Sequence, residues 1–158
     1  MNQNNLKIIT GITLIVAIII ITSCAGTKQA AGSNESKNTT AAAPTLNPLN
    51  GSWVPVKEEM GGNPLPAAYF EKQLLVINDS TYTFTAESVD KGVITHKDGK
   101  MDIYGKEGVN IGKHFTALYK IENGQLVICY NLAGNAYPES FDTKGKPLYF
   151  MSVFTKKQ

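Results

Sequence analysis

Four side chains in this 158-residue chain are well suited to chemistry: the thiols of Cys24 and Cys129 and the imidazoles of His96 and His114. The two histidines fall on different predicted strands and lack His-x-His or His-x3-His spacing, so we interpret them as surface residues rather than metal ligands. Cys129 lies in an apolar run and is expected to be a buried, inert thiol. No nucleophile motif or glycine-rich phosphate loop is present. We therefore expect no catalytic residue, no metal and no cofactor.

Among these four side chains, only Cys24 lies in a sequence pattern that indicates a chemical modification. The stretch Ile21-Thr22-Ser23-Cys24 resembles the lipobox of bacterial lipoproteins, with an aliphatic residue, two small residues and then the cysteine. A polar start that ends in Lys7 and an apolar run over 8–21 precede it, as in a signal peptide. The resemblance implies that residues 1–23 are removed and that the Cys24 thiol forms a thioether to diacylglycerol. An uncleaved membrane helix is the alternative, although the apolar run is short of the ~20 residues that span a bilayer.

Residues 24–47 are rich in Ala, Gly, Ser, Thr and Asn and contain no aromatic residue. Such a segment cannot bury a core, and we predict a disordered tether with a span of about 25 Å. Ala25 follows the cysteine where aspartate would favour inner-membrane retention in enterobacterial lipoproteins. The resemblance therefore implies a lipid-anchored protein of the cell envelope, at the outer membrane and facing the periplasm.

The composition of the remaining chain excludes one class of partner. All 15 basic residues are lysines, and from residue 46 onward 12 lysines balance 12 carboxylates. A neutral domain without arginine has neither the electrostatic surface nor the guanidinium groups that nucleic-acid recognition favours. We expect the lipid bilayer to be a partner, through acylated Cys24, and no nucleic acid to be one.

Residues 48–158 show short apolar or alternating runs separated by turn signals, which is typical of an antiparallel all-β domain. Turns are predicted at Asn78-Asp79-Ser80, Asp90-Lys91-Gly92, Asp98-Gly99 and Asn123-Gly124. A short helical turn is predicted over 66–71, after the first strand, and longer loops over 105–112 and 131–146. The eight predicted strands cover 52–60, 73–77, 81–87, 93–97, 100–104, 113–122, 125–130 and 147–155. Their regular order favours an up-and-down barrel, closed by pairing of the last strand with the first, over a two-sheet sandwich. The last strand is apolar on both faces and is therefore expected to be fully packed.

The opening Gly51-Ser52-Trp53 resembles the Gly-x-Trp start of lipocalins. The order of Gly62–Pro66, Leu75–Ile77, Glu107–Lys113, Leu126–Tyr130 and Pro138-x-x-Phe141 is similar to that of small bacterial lipocalin-like domains, which are secreted or lipid-anchored. The resemblance covers residues 49–156 and implies an eight-stranded calycin-type barrel. It also implies a tryptophan under a basic residue of the last strand, here Lys156 or Lys157. It implies no particular reaction.

Alternation directs most aromatic side chains of the domain toward the barrel interior, where they either fill it or line a cavity; the filled interior is the favoured of the two. If a cavity exists, these side chains would bind a small apolar ligand. The candidates are Trp53, Tyr82, Phe84, Phe115, Tyr119, Tyr130 and Phe150, and Phe154 shares their orientation. Phe141 is expected to cap the barrel.

The densest polar cluster consists of Asp102, Glu107, Asn110 and Lys113, which either stabilises a turn, the favoured interpretation, or forms a polar rim at a cavity mouth. Two functions follow from these alternatives. The first is a lipid-anchored module that binds a small apolar ligand, and the second is a solid-core lipoprotein whose loops contact an envelope protein. An enzyme would be favoured only if a carboxylate and a histidine converged in one pocket.

Overall fold

The computed structural model describes residues 46–158. The predicted signal peptide, the lipidation site at Cys24 and nearly all of the predicted tether lie outside the described residues. Within 46–158, no helix is long and apolar enough to cross a membrane.

The described residues form nine β-strands and one short 3-10 helix. The strands are β1 Gly51–Met60, β2 Asn63–Pro64, β3 Leu74–Asn78, β4 Thr81–Thr85, β5 Val89–Lys97, β6 Lys100–Glu107, β7 His114–Glu122, β8 Gln125–Asn131 and β9 Tyr149–Lys156. The helix, Ala67–Tyr69, follows β2, as predicted for a short helical turn after the first long strand.

Eight antiparallel strands close into a barrel. Each long strand pairs with the next along the chain, and β1 also pairs with β9, so that the sheet has no free edge among its eight long strands. The two-residue strand β2 only extends β1, through the pairs of Glu59 with Pro64 and Met60 with Asn63. The predicted fold class, an all-β eight-stranded antiparallel barrel of lipocalin-like type, is confirmed, and the sandwich alternative is wrong.

Two-residue turns set the register of three hairpins. Asp98-Gly99 and Asn123-Gly124 have positive φ at both residues, the type I′ conformation whose twist matches that of the flanking strands. Asp79, also at positive φ, turns β3 into β4. These turns were predicted from the sequence, and the structure confirms them.

Strand β5 corresponds to the predicted strand over 93–97 but begins four residues earlier, at Val89. Asp90-Lys91-Gly92 was expected to be a turn, yet all three residues lie inside β5, and the actual turn precedes Val89. A side chain at position 92 would lie 2.1 Å from the Tyr104 carbonyl oxygen, so glycine is required there by close packing. The register also shifts between Lys91 and Gly92, as in a β-bulge.

The buried core residues surround the barrel interior, and one end of the barrel, which we call the closed end, is occupied by Leu49 and Trp53. Trp53 is 2 % exposed there; its indole N–H donates to the Leu49 carbonyl oxygen at 2.8 Å, and the Lys156 ammonium lies 5.4 Å from its ring centroid. The expected lysine over the tryptophan is thus confirmed. The core residues and all described strands fall within residues 49–156, so the described domain contains its own core and closed sheet, and we expect residues 46–158 to fold on their own.

The last strand is only partly buried, and the expectation that it is packed on both faces is wrong. Ser152 and Phe154 are 1 % exposed, while their outward-facing neighbours are half-buried. Leu148, predicted to belong to the strand, precedes it and is 52 % exposed.

Candidate functional site

The barrel interior contains a cavity of about 480 Å³ that opens opposite the closed end. The favoured expectation of an interior filled by aromatic side chains is therefore wrong. Most of the lining is apolar. The lining includes Glu58, Tyr82, Phe84, Asp90, Ile103, Asn110, Lys113, Phe115, Tyr130, Phe150 and Ser152.

The predicted ligand-binding residues divide between this cavity and the closed end. Five of them line the cavity: Tyr82, Phe84, Phe115, Tyr130 and Phe150. Trp53 does not, because it lies at the closed end beneath Lys156. Tyr119 also lies outside the lining; its hydroxyl is 3.1 Å from Nδ1 of His96, and the two rings meet edge to face.

Strand pairing explains the grouping of the five, because directly paired residues of antiparallel strands present their side chains on the same face. Tyr130 is paired with Phe150, and their rings are stacked with centroids 5.7 Å apart. Tyr82 is paired with Gly92, whose missing side chain leaves room for the tyrosine ring. The cavity walls are therefore set by the register of the barrel.

Glu58 is a buried acid inside the cavity that sequence reasoning missed. It is 2 % exposed, and the Ser152 hydroxyl donates to its Oε1 at 2.8 Å. A register shift between Pro55 and Lys57 inserts one extra residue, so that Glu58, rather than Lys57, faces inward. Burial raises the pKa of Glu58 above its ordinary value, against the lowering effect of hydrogen bonds from Ser152 and Gln73.

We expect Glu58→Gln to stabilise the barrel at neutral pH. A raised carboxyl pKa means that stability is complete below the unfolded-state pKa and is lost as the pH rises through the folded-state value. Glutamine retains an acceptor for Ser152 without the buried charge. The gain in unfolding free energy should be about 0.5–2 kcal/mol at pH 8 and should disappear near pH 4, as measured by urea denaturation at both pH values. The control is Glu59→Gln, since Glu59 bonds Thr143 on the outside of the barrel; a Glu58→Gln variant no more stable than the parent at pH 8 would contradict this account.

A second polar group lies at the cavity mouth. The backbone N–H and side-chain amide of Asn110 donate to the two carboxylate oxygens of Asp90, at 3.0 and 2.9 Å. The Lys113 ammonium donates to Asn110 Oδ1 at 3.0 Å. Asp90 is 5 % exposed, and its pairing with Phe84 places it inside the barrel, although the sequence suggested a surface turn.

The predicted polar cluster is thus divided by the structure. Asn110 and Lys113 fit both the predicted turn and the predicted polar rim, because their hydrogen bonds stabilise a loop and both residues line the cavity mouth. Glu107 instead pairs with Lys91 at 2.9 Å on the surface. Asp102 points to the outside of the barrel.

Asp102 joins His114 and Tyr137 in an outer cluster. His114 Nε2 lies 2.7 Å from Asp102 Oδ1, and the Tyr137 hydroxyl donates to Oδ2. Although burial alone would raise the pKa of Asp102, the bonds from Tyr137 and His114 lower it below its usual value. A carboxylate and a histidine therefore converge, but on the barrel exterior and away from the cavity. His114 was expected to be a surface residue on a strand, and its side chain is 37 % exposed on the outer face of β7, so that position is confirmed.

The outer cluster fastens the segment between β8 and β9, residues 132–148, which we call the strap. The Ala136 carbonyl oxygen accepts from Thr116 Oγ1 at 2.6 Å and from Asn131 Nδ2 at 2.8 Å. Further along, the Gly62 backbone N–H donates to Thr143 Oγ1 at 2.9 Å. The strap therefore crosses the outer face of the barrel from β6 and β7 to the end of β1.

The strap also accounts for two other predicted residues. Cys129 faces outward on β8, yet is 0 % exposed, and burial raises the pKa of its thiol to about 11. The predicted buried thiol is thus confirmed. Phe141 lies against the exterior with the Lys120 ammonium 5.1 Å from its ring centroid, so its predicted role as a barrel cap is wrong.

No family model and no curated protein matches this chain. In residues 46–158, no group of three or more His, Cys, Asp or Glu side chains is arranged to hold a metal ion. The barrel cavity, with its apolar walls and the buried carboxyl groups of Glu58 and Asp90, is the candidate functional site.

Proposed function

We propose that this protein is a lipid-anchored bacterial lipoprotein whose lipocalin-like barrel binds a small apolar molecule. The observation that carries the proposal is the cavity of about 480 Å³ inside the barrel. Ligand sites in proteins are typically concave, largely apolar and ~300–1,000 Å³ in volume.

The lining supports an apolar ligand with some polar character. Phe84, Phe115 and Phe150 supply aromatic surface, and Tyr82 and Tyr130 add hydroxyl groups. Burial raises the pKa of both tyrosines, so these hydroxyls remain neutral. Such walls favour a molecule that buries apolar surface and makes few, specific hydrogen bonds.

The anchor rests on the sequence alone. The lipobox-like Ile21–Cys24 and the preceding apolar run support cleavage before Cys24 and acylation of its thiol. Together with Ala25, they support a position at the outer membrane, facing the periplasm. In this proposal the lipid holds the barrel at the envelope, and the cavity does the binding.

A lipoprotein that contacts an envelope protein through its loops is the second candidate. Val109 and Ile111, at the tip of the loop between β6 and β7, are 65 and 67 % exposed. Large apolar side chains at a loop tip suit contact with a protein partner. The sequence-based form of this second candidate included a solid core, and the cavity of about 480 Å³ argues against that part of it.

Native mass spectrometry of residues 46–158, purified gently from the source bacterium, tests the ligand. We expect a reproducible extra mass that is lost on denaturation. A bare mass, together with no saturable binding of an apolar fluorescent probe, would contradict the ligand proposal and favour the protein partner.

A pair of variants locates the probe. Ile103 lines the cavity, so Ile103→Trp should reduce its volume and weaken probe binding by about tenfold, ~1.4 kcal/mol. Ile121 is 41 % exposed and does not line the cavity, and Ile121→Trp should leave binding unchanged. Equal effects of the two substitutions would place the probe outside the barrel.

A further inference from the structure

Glu58 is an unusual residue for the wall of an apolar cavity. It is 2 % exposed and lies next to Ser152, among aromatic residues such as Tyr130 and Phe150. A buried carboxyl group is costly unless it is paired or fully hydrogen-bonded. Among residues 46–158, none of the ion pairs includes Glu58.

The groups around Glu58 offer more acceptors than donors. Ser152 donates one hydrogen bond to Oε1, and the Gln73 side chain lies close enough to lower the pKa of Glu58. The Gln73 amide nitrogen additionally donates to the Tyr69 carbonyl oxygen at 3.0 Å. Gln73 Oε1 is buried and has no hydrogen-bond partner in the described part of the chain. Tyr130 lies close enough to Glu58 for the carboxylate charge to raise the tyrosine pKa, but no hydrogen bond joins its hydroxyl to Glu58 in the described residues, and no cation lies beside this carboxyl group.

The other charged groups of the lining do not supply the missing donor. Asp90 is a second buried carboxyl, and Asn110 occupies both of its oxygens. Lys113 is the one cation among the described lining residues; it is exposed at the mouth and donates to Asn110. The buried part of the cavity thus carries acidic groups only, which favours a positively charged ligand.

We propose that the cavity binds an apolar molecule that carries a protonated amine, with the ammonium group placed against Glu58. This inference rests on the proposed function and specifies the chemical class of the ligand. An ammonium group has three donors, no acceptor and a positive charge, which matches a buried carboxyl group that has no ion-pair partner among residues 46–158. A hydroxyl group supplies a single donor, and a carboxylate ligand would be repelled.

The titration behaviour of Glu58 agrees with this assignment. Burial raises its pKa in the unliganded barrel. A cation at hydrogen-bond distance favours the ionised form of a carboxyl group and lowers its pKa again. The ammonium group therefore supplies the counter-charge that the protein itself does not provide at this position.

The test compares three probes with the same ten-carbon chain: decylamine, 1-decanol and decanoic acid. Isothermal titration calorimetry of residues 46–158 at pH 7.5 should show decylamine binding at least ~10-fold more tightly than decanol, because hydrogen bonds to charged groups are stronger than neutral ones. Glu58→Gln should remove this preference, so that decylamine and decanol bind to the variant with affinities that agree within about twofold. Glu59→Gln, which makes the same change in net charge on the outside of the barrel, should retain it.

The outcomes separate this inference from the proposed function. Equal affinity of the parent for all three probes would overturn the amine while leaving an apolar cavity that binds ligands. Absence of binding by any probe would overturn both. A preference for decylamine that survives in Glu58→Gln would overturn the role of Glu58 and point to Asp90.

Discussion

Cys24→Ser is expected to move the protein from the membrane fraction to the soluble fraction. The thioether to diacylglycerol requires a thiol, and a serine hydroxyl does not replace it. Two or three acyl chains hold a protein stably on a bilayer, with ~0.8 kcal/mol for each buried methylene group. Fractionation of cells that express the full chain, with the intact mass of the product, measures both the location and the lipid.

The matched control for this variant is Cys129→Ser. Cys129 is the other cysteine of the chain and is fully buried beneath the strap, so its substitution should leave membrane association intact. A Cys24→Ser product that remains in the membrane and retains the mass of residues 1–23 would instead support an uncleaved membrane helix.

Trp53→Ala is expected to lower the free energy of unfolding by about 3–5 kcal/mol, the usual cost of removing a large aromatic side chain from a core. Trp53 is 2 % exposed, and its indole N–H holds the Leu49 carbonyl oxygen at the closed end. Alanine would leave a cavity at this end and an unpaired carbonyl group. Urea denaturation followed by far-UV circular dichroism measures the loss.

Lys156→Ala separates the contribution of the lysine from that of the ring. The Lys156 ammonium lies 5.4 Å from the Trp53 ring centroid, a contact worth about 0.5–1 kcal/mol at a partly exposed site. We therefore expect this variant to be much milder than Trp53→Ala. If the two variants were equally unstable, the lysine, rather than the buried indole, would be the main stabilising element of the closed end.

Local signals in the sequence were sufficient to predict the barrel. Asp98-Gly99 and Asn123-Gly124 define hairpins through the φ values that their residues adopt, and such preferences operate over two residues. The strand order then follows, because strands joined by short turns pair with their neighbours. The contact between a lysine and Trp53 was predicted on a different basis, namely the resemblance to lipocalins.

The polar part of the candidate site depends on information that alternation does not contain. Glu58 faces inward because the register shifts between Pro55 and Lys57, and a shift of one residue exchanges the two faces of a strand. Asp90 lies inside because β5 begins at Val89 and its regular alternation places Asp90, Gly92 and Ile94 on the inner face. No short motif marks the shift in β1, and the turn predicted at Asp90-Lys91-Gly92 concealed the start of β5.

The position of the strap could not be predicted from the sequence, because its contacts join residues that are far apart along the chain. Tyr137 bonds Asp102, 35 residues away, and Gly62 bonds Thr143, 81 residues away. The residues of the strap show no periodicity that would predict which face of the barrel they cover. The predicted role of Phe141 was wrong because the loop runs along the outside of the barrel and not over its opening.

The pairing of the first and last strands makes the order of strands around the barrel cyclic. Trp53 lies opposite Lys156, and the Lys157 backbone N–H donates to the Ser52 carbonyl oxygen at 2.8 Å. The two ends of the described domain therefore meet at the closed end, where a short linker could join them. A circular permutant opened at Asn123-Gly124 would have new ends at that same end of the barrel, since Gln125 pairs with Thr155. Every neighbouring strand pair and the cavity mouth would be preserved.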